Sequence, residues 1–507
     1  MTFLEYLSKY KNYLSILSEN MEGNEALKYL RQIDTIEKIE SGIFMSAKLF
    51  ETLKMNYDNN VKSSNNAKNY IKLNPIQNIY KKGSDVFNII EKAVNSKNLF
   101  CLMGPPGTGK TTAIVEIILQ TMKMNNKSKI AICSETHIAV DNAIERLLFE
   151  TQKRNLYYSI MRYENFKNSE DNEVYNICFD NYIEHWKKNI MSNYDKNFCD
   201  ELFAEFEENI KNKKRNHKYI CDNASIVGVT CNQMARFKIE ELDSPYDLII
   251  IDEVSKNTLP EILIPASFAR KVILVGDPKQ LPPVFCRQEI ETMKEIDINL
   301  QDELVSNSIV DKLFANVDKN TMFGMLDVQY RMEAGIGDLV SKYFYNGELK
   351  NGTDYTKDDS IYWLDYNTNK LFPDSNTSKE LYNTIEADII NNSIESLNLE
   401  SNVSVAVITP YKRQKLELKR KIKNNDKLKH LNIEIDTIDA FQGKEADIVY
   451  FSVTRNTGSV RFFSDIKRLN VAVSRTKSKL YVVGMHKYCK RVSILDEIYK
   501  NSKVIFN

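Results

Sequence analysis

From about residue 98 onward, short apolar runs alternate with longer stretches in which apolar positions recur at helical spacing. The runs at 98–103, 129–133, 224–229, 248–251 and 271–275 have the length of strands. A second series follows at 325–328, 403–408, 433–437, 448–452 and 480–483. Strands buried on both faces read as continuous apolar runs, and alternation with helices implies parallel pairing through crossovers. The pattern therefore predicts an α/β protein with mostly parallel sheets covered on both faces. A break between about 315 and 325, after a helix around 308–314, separates the two series into tandem domains at 71–320 and 321–507.

Two regions depart from the alternation. Residues 1–70 place Leu4, Leu7, Tyr10, Leu14 and Leu17 at helical spacing and then turn polar over 59–69. Two readings stand for this region: a helical hairpin packed on the first domain, or a face for a protein partner. Residues 163–222 are charged, read as helical, and interrupt the first domain. They run from acidic (Glu205, Glu207, Glu208) to basic (Lys211, Lys213, Lys214, Arg215, Lys218). A solvated helix pair and a nucleic-acid contact explain that gradient equally well.

Composition narrows the classes. The 507 residues suffice for two or more full cores. With 69 basic and 69 acidic residues, no global field draws the chain to polyanions, so a nucleic-acid site must be a local basic groove. The N-terminal stretch Met1-Thr2-Phe3-Leu4-Glu5 is broken by charge and lacks a signal-peptide core. No run approaches the ~18 to 20 apolar residues of a membrane span. The eight cysteines form no CxxC pair, and several lie in apolar segments, which favours buried thiols over zinc or iron–sulfur ligation. A reduced, soluble, cytoplasmic protein without a membrane partner is the expectation.

The first candidate chemistry follows the run at 98–103. Gly104-Pro105-Pro106-Gly107-Thr108-Gly109-Lys110-Thr111 is a complete phosphate loop, GxxxxGK followed by Thr, in its required setting of strand, loop and helix. Its glycines let backbone N–H groups point at phosphates, and Lys110 can reach the β and γ oxygens. Thr111 offers a hydroxyl to Mg²⁺, and the helix over 111–123 turns its positive end to the same anion. The loop predicts binding of ATP or GTP.

After the strand at 248–251 comes Asp252-Glu253-Val254-Ser255. Asp252 suits a Mg²⁺ ion, and Glu253 suits the orientation and deprotonation of an attacking water. The next strand ends in Gly276-Asp277-Pro278-Lys279-Gln280-Leu281-Pro282-Pro283, where the Gln280 amide is placed to sense the γ-phosphate.

Taken in order, these segments resemble a superfamily 1B helicase, of the branch with the nonsense-mediated decay helicase, senataxin and the immunoglobulin mu-binding helicase. Besides the motifs above, the resemblance rests on Leu73-Asn74-Pro75-Ile76-Gln77, Ile138-Ala139-Val140-Asp141-Asn142 and Gln329-Tyr330-Arg331-Met332. The second domain adds ITPYKRQ from Ile408, TIDAFQGKEADIV from Thr437 and RLNVAVSRTK from Arg468. It spans about residues 70 to 490 and implies two RecA-like P-loop domains, ATP and Mg²⁺ as cofactors, and single-stranded DNA or RNA as partner.

The resemblance also implies roles. The nucleotide contacts would be Gly104 to Thr111 with Thr112, the adenine edge read by Gln77, Tyr330 stacked on the base and Glu445 on the ribose. Arg331 and Arg475 would be arginine fingers on the γ-phosphate, a task that a bidentate guanidinium performs and an ammonium does not. With Lys110, Glu253 and Gln280 they complete the catalytic set. Nucleic-acid contacts would be Ser134, Thr136 and Asn142 in the first domain, and Thr409, Pro410, Tyr411, Gln414, Thr437 and Arg455 in the second. Nine Lys or Arg against two acidic residues between Tyr411 and His430 support a phosphate-binding helix there.

Some features depart from the family pattern. The stretch ahead of Gln77 reads as helix where relatives often carry a β-barrel. Glu333-Ala334 replaces a His-Pro, and Cys133-Ser134-Glu135-Thr136 replaces a Pro-Ser-Asn-like element, which puts the Thr136 contact in question. The implied activity is ATP-driven 5′ to 3′ movement on a single strand; the alternative is an ATPase switch or loader that nucleic acid stimulates but that does not unwind. DNA and RNA are not told apart by these residues.

Overall fold

The computed structural model describes residues 2–59, 70–163, 224–237, 244–297, 309–352, 359–370, 381–441, 443–460 and 463–507. It also describes the helix Lys196–Ile210 and scattered positions within 174–195 and 299–304. The basic half of the 163–222 insertion, the polar stretch over 60–69 and Gln442 lie outside the described residues.

Two compact units emerge. The first comprises Met1–Gly104, Lys110–Pro278 and Pro282–Leu326; the second comprises Pro105–Gly109, Lys279–Leu281 and Asp327–Asn507.

The first unit is built on seven parallel strands: β1 (Leu99–Met103), β2 (Ile130–Ser134), β3 (Ile160–Arg162), β4 (Ile226–Thr230), β5 (Leu248–Asp252), β6 (Val272–Gly276) and β7 (Phe323–Met325). Their order is β3-β4-β2-β5-β6-β1-β7. The run expected at 325–328 to open the second series straddles two strands: Met325 ends β7, which pairs with β1 at the edge of the first sheet, and Val328 starts the next strand, in the second unit. The short β3 was not anticipated, because Ile160-Met161-Arg162 is too brief and ends in a charge. Parallel register sets Ser134 against Asp252 and Thr230, and Met103 against Gly276. The carboxyl ends that carry the motifs therefore share one edge of the sheet, where open α/β folds bind ligands.

Helices α1 (Phe3–Glu19), α2 (Gly23–Glu40) and α3 (Ala47–Tyr57) belong to this unit and share a core with the inner side chains of β1 and β5. A capping box starts α1: Thr2 Oγ1 accepts from Glu5 N, and Glu5 Oε2 accepts from Thr2 N at 2.8 Å. The buried stripe is Phe3, Tyr6, Leu7, Tyr10, Tyr13, Leu14 and Leu17, whereas the expected core position Leu4 is exposed. Lys28 pairs with Glu261 at 3.1 Å, and Tyr29 donates to Glu289 at 2.8 Å. Where a two-helix hairpin is expected, three helices pack on the core of the first domain. The opposite face of the sheet is covered by α4 (Asp85–Asn95), α5 (Lys110–Met124) and α6 (His137–Lys153).

The second unit begins with a parallel pair, β8 (Val328–Gln329) and β9 (Lys350–Asn351). Its main sheet has six parallel strands, β10 (Ile361–Asp365), β11 (Ser404–Thr409), β12 (Asn432–Thr437), β13 (Ala446–Ser452), β14 (Thr476–Val483) and β15 (Lys503–Phe506), ordered β12-β11-β13-β14-β10-β15. Two parallel-sheet α/β units in tandem, with a helical N-terminal region, are the architecture expected. Among the described residues no helix is long and apolar enough to cross a membrane. The described cysteines are all free, and all but Cys286 are buried.

Candidate active site and nucleic-acid interface

β1 ends at Met103 and α5 begins at Lys110, so the phosphate loop fills the gap as expected. Gly107 (φ +74°) and Gly109 (φ +80°) hold left-handed backbone that other residues resist. A Cβ on Gly107 would also lie 2.6 Å from the Arg331 Cβ. Thr108 Oγ1 donates to Pro105 O (2.7 Å), and Lys110 Nζ donates to Gly104 O (2.7 Å). That bond ties the ammonium to the carbonyl that opens the loop.

Asp252 closes β5 and is buried; its Oδ1 accepts from Glu253 N at 2.8 Å. Burial, reinforced by the Glu253 carboxylate, pushes Asp252 well above the usual carboxylate range, while Lys110 opposes the shift. A carboxylate in that position is relieved by a divalent cation. Among the described residues no group of three or more His, Cys, Asp or Glu could hold a metal. One carboxylate, a threonine hydroxyl and nucleotide phosphates are instead the donor set that suits Mg²⁺. Glu253 sits in left-handed backbone (φ +54°), with Lys256 Nζ 3.7 Å from its Oε2. A non-glycine residue there is strained, and such strain recurs where a side chain must be aimed.

Gln77 is buried. Its Nε2 donates to Thr112 O (2.8 Å), and its Oε1 is buried without a hydrogen-bond partner. An orphaned amide oxygen can accept from an exocyclic amine, as adenine recognition requires. The segment carrying it is clamped by Glu116 of α5, whose oxygens accept from Ile76 N (2.7 Å) and Gln77 N (2.9 Å).

Within the second unit, Arg475 NH2 donates to Gln280 Oε1 at 2.9 Å, and both side chains are buried. Arg331 pairs with Glu445 (2.6 Å) and donates to Ser474 O (3.2 Å). Against the upward push of burial, Arg331 and Lys477 hold the Glu445 carboxyl below its usual value. Glu445, expected on the ribose, is thus engaged by two cations. Tyr330 donates its N–H to Gly107 O (2.8 Å), and the residue is 55% exposed.

The expected nucleic-acid residues divide. Asn142 is exposed near the start of α6. Ser134 is fully buried, with an unpartnered Oγ. Thr136 caps α6, its Oγ1 accepting from Ala139 N. In the second unit, Thr409, Pro410, Gln414 and Thr437 are buried. Thr409 Oγ1 lies 3.1 Å from Thr454 Oγ1, and Gln414 Oε1 accepts from Asn383 N at 2.7 Å. Tyr411 and Arg455 are half-buried and meet: Arg455 Nε donates to the Tyr411 hydroxyl (2.9 Å), with the guanidinium 5.6 Å from the ring centroid. The helix Lys412–Lys423 exposes Lys412, Arg413, Lys419, Arg420 and Lys423. Its positive charge is smaller than a count along the chain implies, since Lys415 pairs with Asp436, Arg420 with Glu417 and Lys421 with Asp388.

Comparison with known proteins gives the family. Two models described as AAA domain match the chain, one over 84–196 and 181–288 and the other over 305–487. The DNA polymerase alpha-associated DNA helicase A of Saccharomyces cerevisiae is 31% identical over 484 residues, covering 84% of this chain and 67% of that protein. The chain belongs to the superfamily 1B helicases. An ATP-dependent helicase of Methanocaldococcus jannaschii is 27% identical over 486 residues, covering 82% of this chain and 69% of its own length. A regulator of nonsense transcripts 1 homolog from Neurospora crassa is 30% identical over 428 residues, and the match spans 79% of this chain but only 37% of that protein. This is an ATP-hydrolysing helicase.

Several residues that shape the helicase escaped the sequence reading. Glu116, fully buried in α5, also accepts from Gln120 Nε2 at 2.8 Å. Arg162, fully buried, donates to Asp141 Oδ1 (2.6 Å), lies 3.1 Å from His137 Nδ1, and so fixes the first turns of α6 to β3. Asn383 and Glu386 lie in a stretch without a motif. The available signal was a charged residue inside an apolar pattern, which by itself does not reveal its partner.

Proposed function

We propose that this helicase couples ATP hydrolysis to 5′ to 3′ movement along single-stranded DNA or RNA. Lys110 and the loop amides hold the β and γ phosphates, and Gln77 and Tyr330 take the adenine. Thr111 and Asp252 hold Mg²⁺, which supplies charge neutralisation at the phosphates. Glu253 accepts the proton of the attacking water, and Arg331 and Arg475 stabilise charge as the γ-phosphoryl leaves. The observation that carries the reading is the bond between Arg475 and Gln280. A phosphate sensor tied to an arginine finger links the presence of the γ-phosphate to the unit that carries Tyr411 and Arg455. Those two residues and the exposed cations of Lys412–Lys423 grip the strand through phosphates and stacking, without reading sequence.

The test is ATP turnover titrated with matched single-stranded DNA and RNA, followed by strand displacement on duplexes with a 5′ or a 3′ tail at two salt concentrations. Stimulation, preference for the 5′ tail and weaker binding at higher salt are expected. Displacement from the 3′ tail would overturn the direction. Stimulated turnover with no displacement from either tail would replace movement by a switch or loader.

A further inference from the structure

Behind Arg455 lies a buried polar network that the reaction does not use. β13 ends at Ser452, and the chain reverses through Val453, Thr454 and Arg455. Arg455 N donates to Val453 O at 2.9 Å across Thr454, whose φ is +74°. This is a γ-turn with its central residue in the rare, strained form, and a β-branched residue makes it costlier still. Such a turn persists only where its surroundings over-determine it.

They do so here through every polar group of Thr454. Its N–H donates to Glu386 Oε2 (2.8 Å), its carbonyl accepts from Asn383 Nδ2 (2.9 Å), and its hydroxyl meets that of Thr409 (3.1 Å). Glu386 is fully buried and also accepts from the Ser452 hydroxyl (2.6 Å) and the Tyr366 hydroxyl (3.1 Å). Gln414 joins the same network by donating to Ser452 Oγ (3.1 Å) while accepting from Asn383 N. Both strand-facing elements, the Arg455 turn and the first turn of Lys412–Lys423, are therefore anchored to one carboxylate. The groups that hold that carboxylate are neutral, and burial pushes it up to about 7 despite the donors from Ser452, Thr454 and Tyr366. A buried carboxylate without a cationic partner is a poor stabiliser, so its position calls for a role in geometry.

We propose that Glu386 is a positioning residue for the nucleic-acid grip, holding the strained Thr454 turn that sets Arg455 against Tyr411. The inference rests on the reading of Arg455 as a strand contact.

The experiment measures binding of labelled oligothymidylate and oligouridylate by the full chain carrying Glu386→Gln, Arg455→Ala, or both. An amide cannot accept at both of the positions the carboxylate serves, so Glu386→Gln should weaken binding about tenfold, the scale of one lost buried hydrogen bond. In ATP turnover, the oligonucleotide concentration for half-maximal stimulation should rise, with the plateau rate kept. Adding Glu386→Gln to Arg455→Ala should cost nothing further, and Thr454→Gly, which relaxes the turn, should restore part of the loss in Glu386→Gln. Should Glu386→Gln not fold, Ser452→Ala, which removes one donor to the same oxygen, should give a smaller loss that also vanishes in the Arg455→Ala background. Full additivity with Arg455→Ala, or wild-type binding by a folded Glu386→Gln chain, overturns the inference and leaves Arg455 as a contact. Wild-type binding by Arg455→Ala removes the contact itself, and this inference with it.

Discussion

The phosphate loop and the carboxyl edge of the second sheet both carry helicase motifs, yet their residues meet different fates. From Gly104 to Thr111 every residue sits in the strand–loop–helix setting that its chemistry demands, with Gly107 and Gly109 in left-handed backbone. At the second edge, Thr409, Pro410, Gln414 and Thr437 turn inward, and only Tyr411 and Arg455 of that set remain half-buried. In the proposed reading the loop holds phosphate through its backbone, so the motif and the site are the same residues. The second edge, in the same reading, grips the strand through side chains, and some motif residues there serve to hold others in place.

This contrast can be broken at several points. The largest effect is expected from Lys110→Ala, which should abolish ATP turnover because no other side chain offers a cation within the loop; hydrolysis at the wild-type rate would end the parallel between motif and site. Arg475→Ala should slow single-turnover hydrolysis by ~10³-fold, the lower end for an arginine finger, with nucleotide affinity nearly kept. Glu253→Gln should lower turnover by about 10²-fold or more while ATP still binds, since an amide cannot take the proton of water. Equilibrium binding of a fluorescent ATP analogue separates these two from a misfolded chain.

Smaller effects sharpen the second half of the comparison. Gln414→Ala should lower stability by about 1 to 3 kcal/mol, because Asn383 N and Ser452 Oγ lose a buried partner. Arg455→Ala should leave the Tm in place and weaken oligonucleotide binding; the reverse pattern in thermal melts and titrations would show that Gln414 reaches the strand. Thr136→Ala should cost about 1 kcal/mol, the usual value of a helix N-cap, with little change in strand affinity. A large loss of affinity at unchanged Tm would return Thr136 to the interface.

Much of the fold was legible from apolar runs, because strands buried on both faces write themselves as continuous Val, Ile and Leu. The exceptions were edges and short pieces. The stretch from Met325 to Val328 reads as one strand, yet Asp327 divides it: Met325 closes β7, whose place beside β1 only the pairing shows, and Val328 opens β8. Leu4 fits the helical spacing of α1, but the packed stripe, which holds Leu7, Tyr10, Leu14 and Leu17 as expected, starts from Phe3 and Tyr6 instead.

The sequence alone determined the nucleotide chemistry. A phosphate loop, an acid pair at a strand end and a glutamine one strand later are local patterns, each set by a few consecutive residues and the backbone they permit. Tertiary structure decided which polar residues face outward. Glu116, Arg162, Asn383 and Glu386 find partners as far as tens of positions away, such as Gln77 for Glu116 and Thr454 for Glu386. A buried polar side chain is defined by the groups that satisfy it, and long-range packing alone brings those groups within hydrogen-bond distance.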